Sequence, residues 1–311
     1  TFTAGRPGAL LPGRRLECSC VLPPRRQARA CMECVDITRH TPHWPETDMA
    51  ATAIAVEPTL HAVSPGAPAL TVWPLWQRVL FRFFFVYLLL QISPWEWFGA
   101  IPGTGKLINQ YGRLVDWGVT KSNANLFHVR ETLVPVNGSG DTSWAFAQMW
   151  LFLALAAIAC IVWSILDRRR PHYERLAWWL RMIVRYYLAT VAVSYGIIKL
   201  FALQMGFPTL SQLATPLGDL LPMRFSWLFI GYSFKYQFFS GAMETLAGLL
   251  LLYRGTVTAG LFAAVGAFLN VVMINLSYDV PVKLFSMHLL FSSLFLLALD
   301  SRRLANLLVL N

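Results

Sequence analysis

Long apolar runs separated by short charged segments dominate the chain from residue 71 onward. A helix that crosses a membrane needs about 20 predominantly apolar residues, and six runs approach or reach that length. They lie at Leu75–Ile92, Trp144–Leu166, Leu176–Leu203, Tyr236–Tyr253, Thr256–Leu276 and Val282–Leu299. The pattern therefore predicts an all-α integral membrane protein with about six transmembrane helices.

A long loop, Ser93–Ser143, connects the first two predicted spans. Within it, Leu107–Val119 alternates with a rough helical period, which predicts a helix in the loop. The second long connection, Gln204–Phe225, leads into residues 226–235, where the apolar run is too short to span. We expect 226–235 to form a partly re-entrant or interfacial approach to the fourth span.

Composition agrees with a membrane protein, since 56% of the 311 residues are hydrophobic and only 14% are charged. The net charge of +10 comes largely from arginines at every second boundary between spans. These arginines are Arg78, Arg82, Arg168, Arg169, Arg170, Arg175, Arg254, Arg302 and Arg303. By the positive-inside rule, they predict a multi-pass protein of the bacterial inner membrane with both termini cytoplasmic. The basic charge is thus a topology signal, and we do not expect nucleic-acid binding.

The N-terminal stretch has a different character, rich in proline and arginine. It contains Cys18, Cys20, Cys31, Cys34, His40 and His43. These residue types can bind zinc, but their spacing fits no compact zinc finger. The alternative is that Met49 is the true start and that residues 1–70 form a disordered or non-native leader. We divide the rest into two helices with their loop (71–166) and a four-helix bundle (167–311), and expect the chain to be truncated after Asn311.

Polar residues inside the last four apolar runs predict a ligand-binding pocket. A charge in hydrocarbon costs roughly 2.5–3.5 kcal/mol on insertion scales, so such residues usually face the interior of a bundle. The candidate residues are Lys199, Tyr232, Tyr236, Glu244, Asn270, Asn275, Asp279, Lys283 and His288. Glu244 lies about 12–13 Å from either end of its helix, near the bilayer midplane.

Each of these residues also has a purely structural explanation. Lys199, near the outer end of its helix, could extend toward the membrane surface or reach inward to Glu244. Asp279 could act as the N-cap of the last helix. Gly241 and Gly248 flank Glu244 on one helix face, where small residues let a neighbouring helix approach closely.

The small number of histidines and cysteines in the predicted spans restricts the cofactors that the chain could hold. His288 is the single histidine within the spans and Cys160 the single cysteine after residue 48. We therefore expect no intrinsic haem, iron–sulfur cluster or metal site, and no disulfide framework. The chain also lacks a G-x-G-x-x-G fingerprint and a recognisable serine triad.

Three segments resemble the DoxX-like family of bacterial membrane proteins, which have a core of four transmembrane helices. They are YYLATVAVSYGIIKLF, GYSFKYQFFSGAMETLAGLLLL and NVVMINLSYDVPVKLFSMHLL, within residues 176–300. The resemblance implies a four-helix membrane bundle linked to oxidoreductase assemblies, including thiosulfate:quinone oxidoreductase. It implies a membrane subunit that binds a quinone or a small sulfur or organic substrate, with the lipid bilayer and soluble or membrane oxidoreductase subunits as partners.

Two other functions fit the same residues. A transporter of a small solute or of protons could use Glu244 as its protonation site, although the two halves of the chain show no obvious repeat. A structural scaffold could use the charges only to fix helix register. Among these functions, a non-catalytic or accessory membrane subunit is favoured over a self-sufficient enzyme.

Overall fold

A computed structural model describes residues 72–135 and 140–301. Within these ranges every regular element is helical, which confirms the predicted all-α class. The α-helices are α1 (Leu75–Ile92), α2 (Gly105–Ser122), α3 (Ser143–Leu166), α4 (Glu174–Leu200), α5 (Leu210–Leu213), α6 (Pro222–Tyr232), α7 (Phe234–Leu252), α8 (Val257–Ser277) and α9 (Lys283–Leu299). A 3₁₀ segment, Pro94–Ala100, continues α1. The N-terminal cysteines and histidines considered as zinc ligands, and Met49, lie outside the described residues.

Four helices of the described region are long and apolar enough to cross a membrane: α1 with its 3₁₀ extension, α3, α4 and α8. Their lipid-facing surfaces carry exposed apolar side chains, such as Ile158 and Ile161 on α3. Helix α9 is equally apolar but has only 17 residues. The polar residues of α7, among them Lys235 and Glu244, lower its hydropathy. The protein is thus an all-α membrane protein, and the total of six spans stays a prediction.

The predicted spans coincide with helices to within a few residues. The first prediction matches α1 at both ends, and α2 contains the helix expected in the long loop. The third span was predicted to reach Leu203, but α4 ends at Leu200 because Ala202 adopts a left-handed backbone with φ of 52°. The approach expected at 226–235 is mostly helical: α6 continues to Tyr232, and Ser233 then caps the N-terminus of α7.

The last four long helices form a closed four-helix bundle. Helix α4 packs against α7, α7 against α8, α8 against α9, and α9 against α4. Helices α1 and α3 pair with each other, and α1 also contacts α4. This arrangement is the bundle predicted for the C-terminal half, and it buries Gln237 and Glu244 of α7 and Asn275 of α8.

Glycines set the close approach of α4 and α7. A Cβ atom added at Gly241 would lie 2.6 Å from the backbone nitrogen of Leu200 and 2.7 Å from the carbonyl oxygen of Gly196. One added at Gly248 would lie 2.9 Å from the Ala189 carbonyl oxygen. Since the obstacles are backbone atoms, which cannot move aside as a side chain can, only glycine fits here. The predicted role of Gly241 and Gly248 is confirmed.

An arginine joins the same two helices at the opposite end. Arg185 on α4 donates from Nε to the Leu251 carbonyl (2.5 Å) and from Nη2 to the Leu252 carbonyl (2.6 Å). These carbonyls belong to the last turn of α7 and have no partner within their own helix. A cation at a helix C-terminus also interacts favourably with the helix dipole. The α4–α7 pair is therefore fixed both at this end and along its glycine contact.

Candidate functional site

A cavity of about 320 Å³ lies within the four-helix bundle. Its walls come from α4, α6, α7, α8 and α9 and from the segment after α4. Its volume is at the lower end of the range for small-molecule sites. Aromatic side chains form much of its apolar lining, including Tyr195, Trp227 and Phe285. The polar candidates of the sequence can be placed relative to this cavity one by one.

Lys199 and Glu244 meet in the cavity wall. The Lys199 ammonium donates a short hydrogen bond to Oε1 of Glu244, and both side chains are largely buried, with exposed fractions of 12% and 4%. Lys199 thus takes the inward of its two expected orientations. The glycine contact between α4 and α7 brings the two residues within reach, since Gly241 lies three residues before Glu244. The pair places opposite charges at one edge of a largely apolar space.

Three further predicted residues line the cavity: Tyr236, Asn270 and Asn275. Asn275 is buried and donates from Nδ2 to the hydroxyl of Ser286 at 3.0 Å. This bond joins α8 to α9. Five of the nine predicted residues are therefore brought together around one space.

Lys283 and Asp279 do not line the cavity. The Lys283 ammonium lies 2.6 Å from Oδ1 of Asp279 and 3.7 Å from Oδ2 of Asp141. The Asp279 side chain is 82% exposed. Asp279 has a left-handed backbone, with φ of 51°, in the short connection between α8 and α9. That geometry directs the pair toward the loop between α1 and α3 and not into the bundle.

Asp141 caps α9, which was expected of Asp279. Its two carboxylate oxygens accept from the backbone nitrogens of Lys283 (2.8 Å) and Leu284 (2.9 Å). The nitrogens of Gly140 and Asp141 in turn donate to the carbonyl of Pro281. The N-cap prediction for Asp279 is therefore wrong, because the carboxylate of Asp141, distant in sequence but adjacent in the fold, accepts from the first N–H groups of α9.

His288 and Tyr232 also lie away from the cavity. The Nδ1 of His288 is 2.7 Å from the Leu284 carbonyl, which can only accept, so Nδ1 carries the proton. The Nε2 atom then accepts from the hydroxyl of Tyr87 on α1, at 2.6 Å. Tyr232 is 63% exposed and packs on Phe207. His288 thus joins α9 to α1, while Tyr232 lines a second, shallower hollow near α5.

Gln237 is a cavity residue that the sequence prediction missed. It is only 1% exposed, and its Nε2 donates to the carbonyl of Met205 at 2.8 Å. The signal was present in the sequence, since Gln237, Gly241, Glu244 and Gly248 follow the helical spacing of four, three and four residues. All four are buried on one face of α7. Gln204 and Ser240 also line the cavity and were missed.

Comparison with known proteins provides one relative. The chain is 33% identical to the protein named "Uncharacterized protein YwoB" from Bacillus subtilis (strain 168), over 119 residues that cover 38% of this chain and 75% of YwoB. The chain belongs to the YwoB family. No family model matches the chain, and no solved structure matches it.

In this member of the YwoB family, residues 72–135 and 140–301 contain no group of three or more histidine, cysteine, aspartate or glutamate side chains placed to hold a metal. The polar groups in the lining of this cavity are the Lys199 ammonium, the Glu244 carboxylate, amides, hydroxyls and the indole N–H of Trp227. Such groups can orient a small molecule by hydrogen bonds and balance a partial charge. Ligand binding is therefore the chemistry that the site supports directly.

Proposed function

We propose that this protein is a membrane-embedded subunit that binds a small organic molecule in the bundle cavity, as part of a redox assembly. The observation that carries the proposal is the buried Lys199–Glu244 pair in the cavity wall. Ionisable groups within a membrane bundle are costly and usually mark a functional site. A cavity beside them provides the space that a purely structural ion pair does not need.

The lining favours an amphipathic ligand. Tyr195, Trp227 and Phe285 offer flat apolar surfaces, and Lys199 with Glu244 offers a polar edge without net charge. A quinone or a similar small aromatic molecule matches this combination better than an inorganic sulfur anion, which would need uncompensated cations. Electrons would then come from soluble or membrane oxidoreductase partners. Both ring nitrogens of His288 already have hydrogen-bond partners, so this histidine is not free to ligate a redox metal.

The resemblance of residues 176–300 to the DoxX-like family supports the same assignment and remains part of the proposal. So does the location in a bacterial inner membrane with cytoplasmic termini. It is supported by the arginines near the α3–α4 and α7–α8 connections. In this orientation, the Lys199 end of α4 and the Tyr236 end of α7 face outward, and the cavity opens toward the outer leaflet.

Purification from native membranes tests the proposal. We expect native mass spectrometry of the wild-type protein to show a bound small molecule, and co-purifying proteins to include an oxidoreductase. Glu244→Gln keeps the side-chain shape but removes the charge that holds Lys199, so the small molecule should be lost. Asp279→Asn is the matched control, because Asp279 is exposed and outside the cavity. Retention of the small molecule by a folded Glu244→Gln variant would refute the proposal.

A second function, a small-solute or proton-coupled transporter, is favoured by one observation: Glu244 is a buried carboxylate in a cavity wall. Uptake into proteoliposomes distinguishes the two functions. The subunit proposal predicts no accumulation of solute or protons by the purified protein alone. Accumulation that disappears in Glu244→Gln would instead establish transport.

A further inference from the structure

The short helix α6 forms a wall between two spaces. Its Met223, Trp227 and Ile230 line the bundle cavity, at the spacing of four and three residues that keeps side chains on one helix face. The opposite face lines the shallow hollow near α5, whose volume is about 540 Å³. The residues of that face are Phe225, Leu228, Phe229 and Tyr232.

Tyr236, in the first turn of α7, lines both spaces. Helix α6 ends at Tyr232, so it no longer separates the two spaces at this point. The Tyr236 side chain is 42% exposed, and its ring centroid lies 6.2 Å from that of Phe229. Side chains that are this exposed change rotamer rapidly. Rotation of Tyr236 would therefore connect the bundle cavity with the hollow.

The hollow is suited to an apolar group. Among the described residues, leucine and phenylalanine side chains form most of its lining, and no charged side chain contributes to it. Residues next to the lining in sequence are apolar and exposed as well, as Leu210, Leu221 and Phe234 show. A charged or strongly polar group would lose its hydration here without gaining a partner, which is costly.

The bundle cavity differs from the hollow in both polarity and size. It has a polar edge, formed by Lys199 and Glu244, and a volume of only about 320 Å³. A volume at the lower end of the range for small-molecule sites accommodates a ring but leaves little room for a long chain. A small space with a polar edge thus adjoins a larger apolar one, with Tyr236 between them.

From this juxtaposition we infer that the ligand is a lipophilic molecule with one long apolar chain. Its polar ring lies in the bundle cavity, and its chain passes Tyr236 into the hollow near α5. The inference rests on the proposed function, because it describes the ligand of the same cavity. Lipid chains are as apolar as leucine side chains, so the hollow adds little affinity over the bilayer. It instead gives the chain a path to the bilayer, from which the ligand enters.

Photolabelling of the wild-type protein in lipid nanodiscs tests the path of the chain. The probe, at low concentration, is 4-dodecylphenol with a photoreactive diazirine at the end of its chain. The competitor is 4-propylphenol, which has the same ring but a short chain. We expect the diazirine to label residues 208–220, a segment that lines the hollow and not the bundle cavity. At about ten times its Kd, 4-propylphenol should reduce this labelling about tenfold, because it occupies the ring site.

The pattern of labelling and competition distinguishes failure of this inference from failure of the proposed function. Labelling of residues 208–220 that 4-propylphenol does not reduce would show that the hollow takes lipid chains independently, and would overturn the inference. Competed labelling confined to other segments would also overturn it, while leaving the bundle cavity as a ligand site. If 4-propylphenol reduced labelling nowhere, both the proposed function and the inference would be contradicted.

A substitution in the hollow tests the same path by affinity. Leu228→Trp adds bulk on the hollow face of α6, so the affinity for 4-dodecylphenol relative to 4-propylphenol should fall about tenfold. Leu246→Trp, at a half-exposed position of α7, is the matched control and should keep the wild-type ratio. An unchanged ratio in a folded Leu228→Trp variant would contradict the hollow as the chain site. If that variant does not fold, the labelling of the wild-type protein decides.

Discussion

Two buried cations of this protein, Arg82 and Lys199, show what separates a structural charge from a candidate functional one. Arg82 on α1 is 2% exposed, and all three of its guanidinium nitrogens are bonded: to the hydroxyl of Tyr173 (3.0 and 2.7 Å), to Ser164 (2.8 Å) and to the Asp167 carbonyl (2.8 Å). Within the described residues, Lys199 has an ion-pair partner in Glu244, and a cavity lies beside it. The first charge is saturated by the protein, while the second adjoins space for another molecule.

The hydrogen bonds of Arg82 continue through Tyr173 to a carboxylate. The Tyr173 hydroxyl donates onward to Oδ2 of Asp167 at 3.0 Å, and the Arg82 guanidinium lies over the Tyr173 ring. Desolvation raises the pKa of Tyr173, so its hydroxyl keeps the proton that it donates. Burial of a charge inside an apolar run is thus insufficient to mark a ligand site. The adjacent cavity is the feature that distinguishes Lys199 and its surroundings.

The largest expected effect comes from Arg82→Met. It leaves the acceptors of Tyr173, Ser164 and Asp167 buried without their donor, and we expect a loss of about 3–5 kcal/mol in the free energy of unfolding. Equilibrium unfolding in detergent measures this loss. Arg113→Met, at an exposed position of α2, should change stability by less than about 0.5 kcal/mol. If the two substitutions were equally mild, the Arg82 cluster would not be a structural centre.

A double-mutant cycle on Lys199 and Glu244 measures the interaction energy of the second buried cation with its partner. Each single change, Lys199→Met or Glu244→Gln, removes the partner of a buried polar group. The double variant removes both charges at once, so it should be more stable than the single effects predict by about 1–3 kcal/mol. Additive effects would indicate that the two charges do not interact. The scaffold hypothesis further predicts that the double variant preserves function, whereas our proposal predicts that it loses the bound small molecule.

Gly241→Ala tests whether the approach of α4 and α7 positions the ion pair. The added Cβ would meet backbone atoms of Gly196 and Leu200, so overpacking should cost about 1–3 kcal/mol. Gly266→Ala on α8 is the matched control, since nothing lies within 4 Å of the added atom. Alanine there should be neutral or stabilising by up to about 1 kcal/mol. Equal stability of the two variants would show that α4 and α7 do not approach each other as closely as the structure places them.

The smallest effect concerns the two aspartates near α9. Asp141→Asn leaves one acceptor oxygen for the two backbone N–H groups of Lys283 and Leu284, and the lost hydrogen bond should cost about 1 kcal/mol. Asp279→Asn affects only an exposed ion pair and should cost less than about 0.5 kcal/mol. Thermal unfolding of the two variants side by side measures the difference. The reverse order would restore Asp279 as the cap.

Much of the fold could be predicted because it follows from local pattern. The limits of α1, α3 and α8 agree with the apolar runs to within about a residue, since a change from apolar to polar residues marks the end of a membrane helix. The glycine and glutamate stripe of α7 likewise predicts its buried face. The end of α4 was missed because it depends on the backbone of Ala202, which has no distinctive sequence signal.

The site was predicted only in part because its geometry depends on contacts between distant residues. Lys199 and Glu244 are 45 residues apart, and either orientation of the lysine was physically reasonable. Asp141 reaches α9 across 142 residues, which no local pattern indicates. Gln237 was accessible in principle, since it shares the spacing of Gly241 and Glu244, but an uncharged amide gives a weaker signal in an apolar helix.

The most direct test of the central claim is ligand affinity measured side by side for Lys199→Met and Lys283→Met. The two substitutions remove the same charge from two lysines of neighbouring bundle helices, of which only Lys199 lines the cavity. Calorimetry with 4-propylphenol in nanodiscs should show affinity reduced about tenfold or more for Lys199→Met and unchanged for Lys283→Met. Equal losses, or a loss confined to Lys283→Met, would contradict the claim that the Lys199–Glu244 cavity is the binding site.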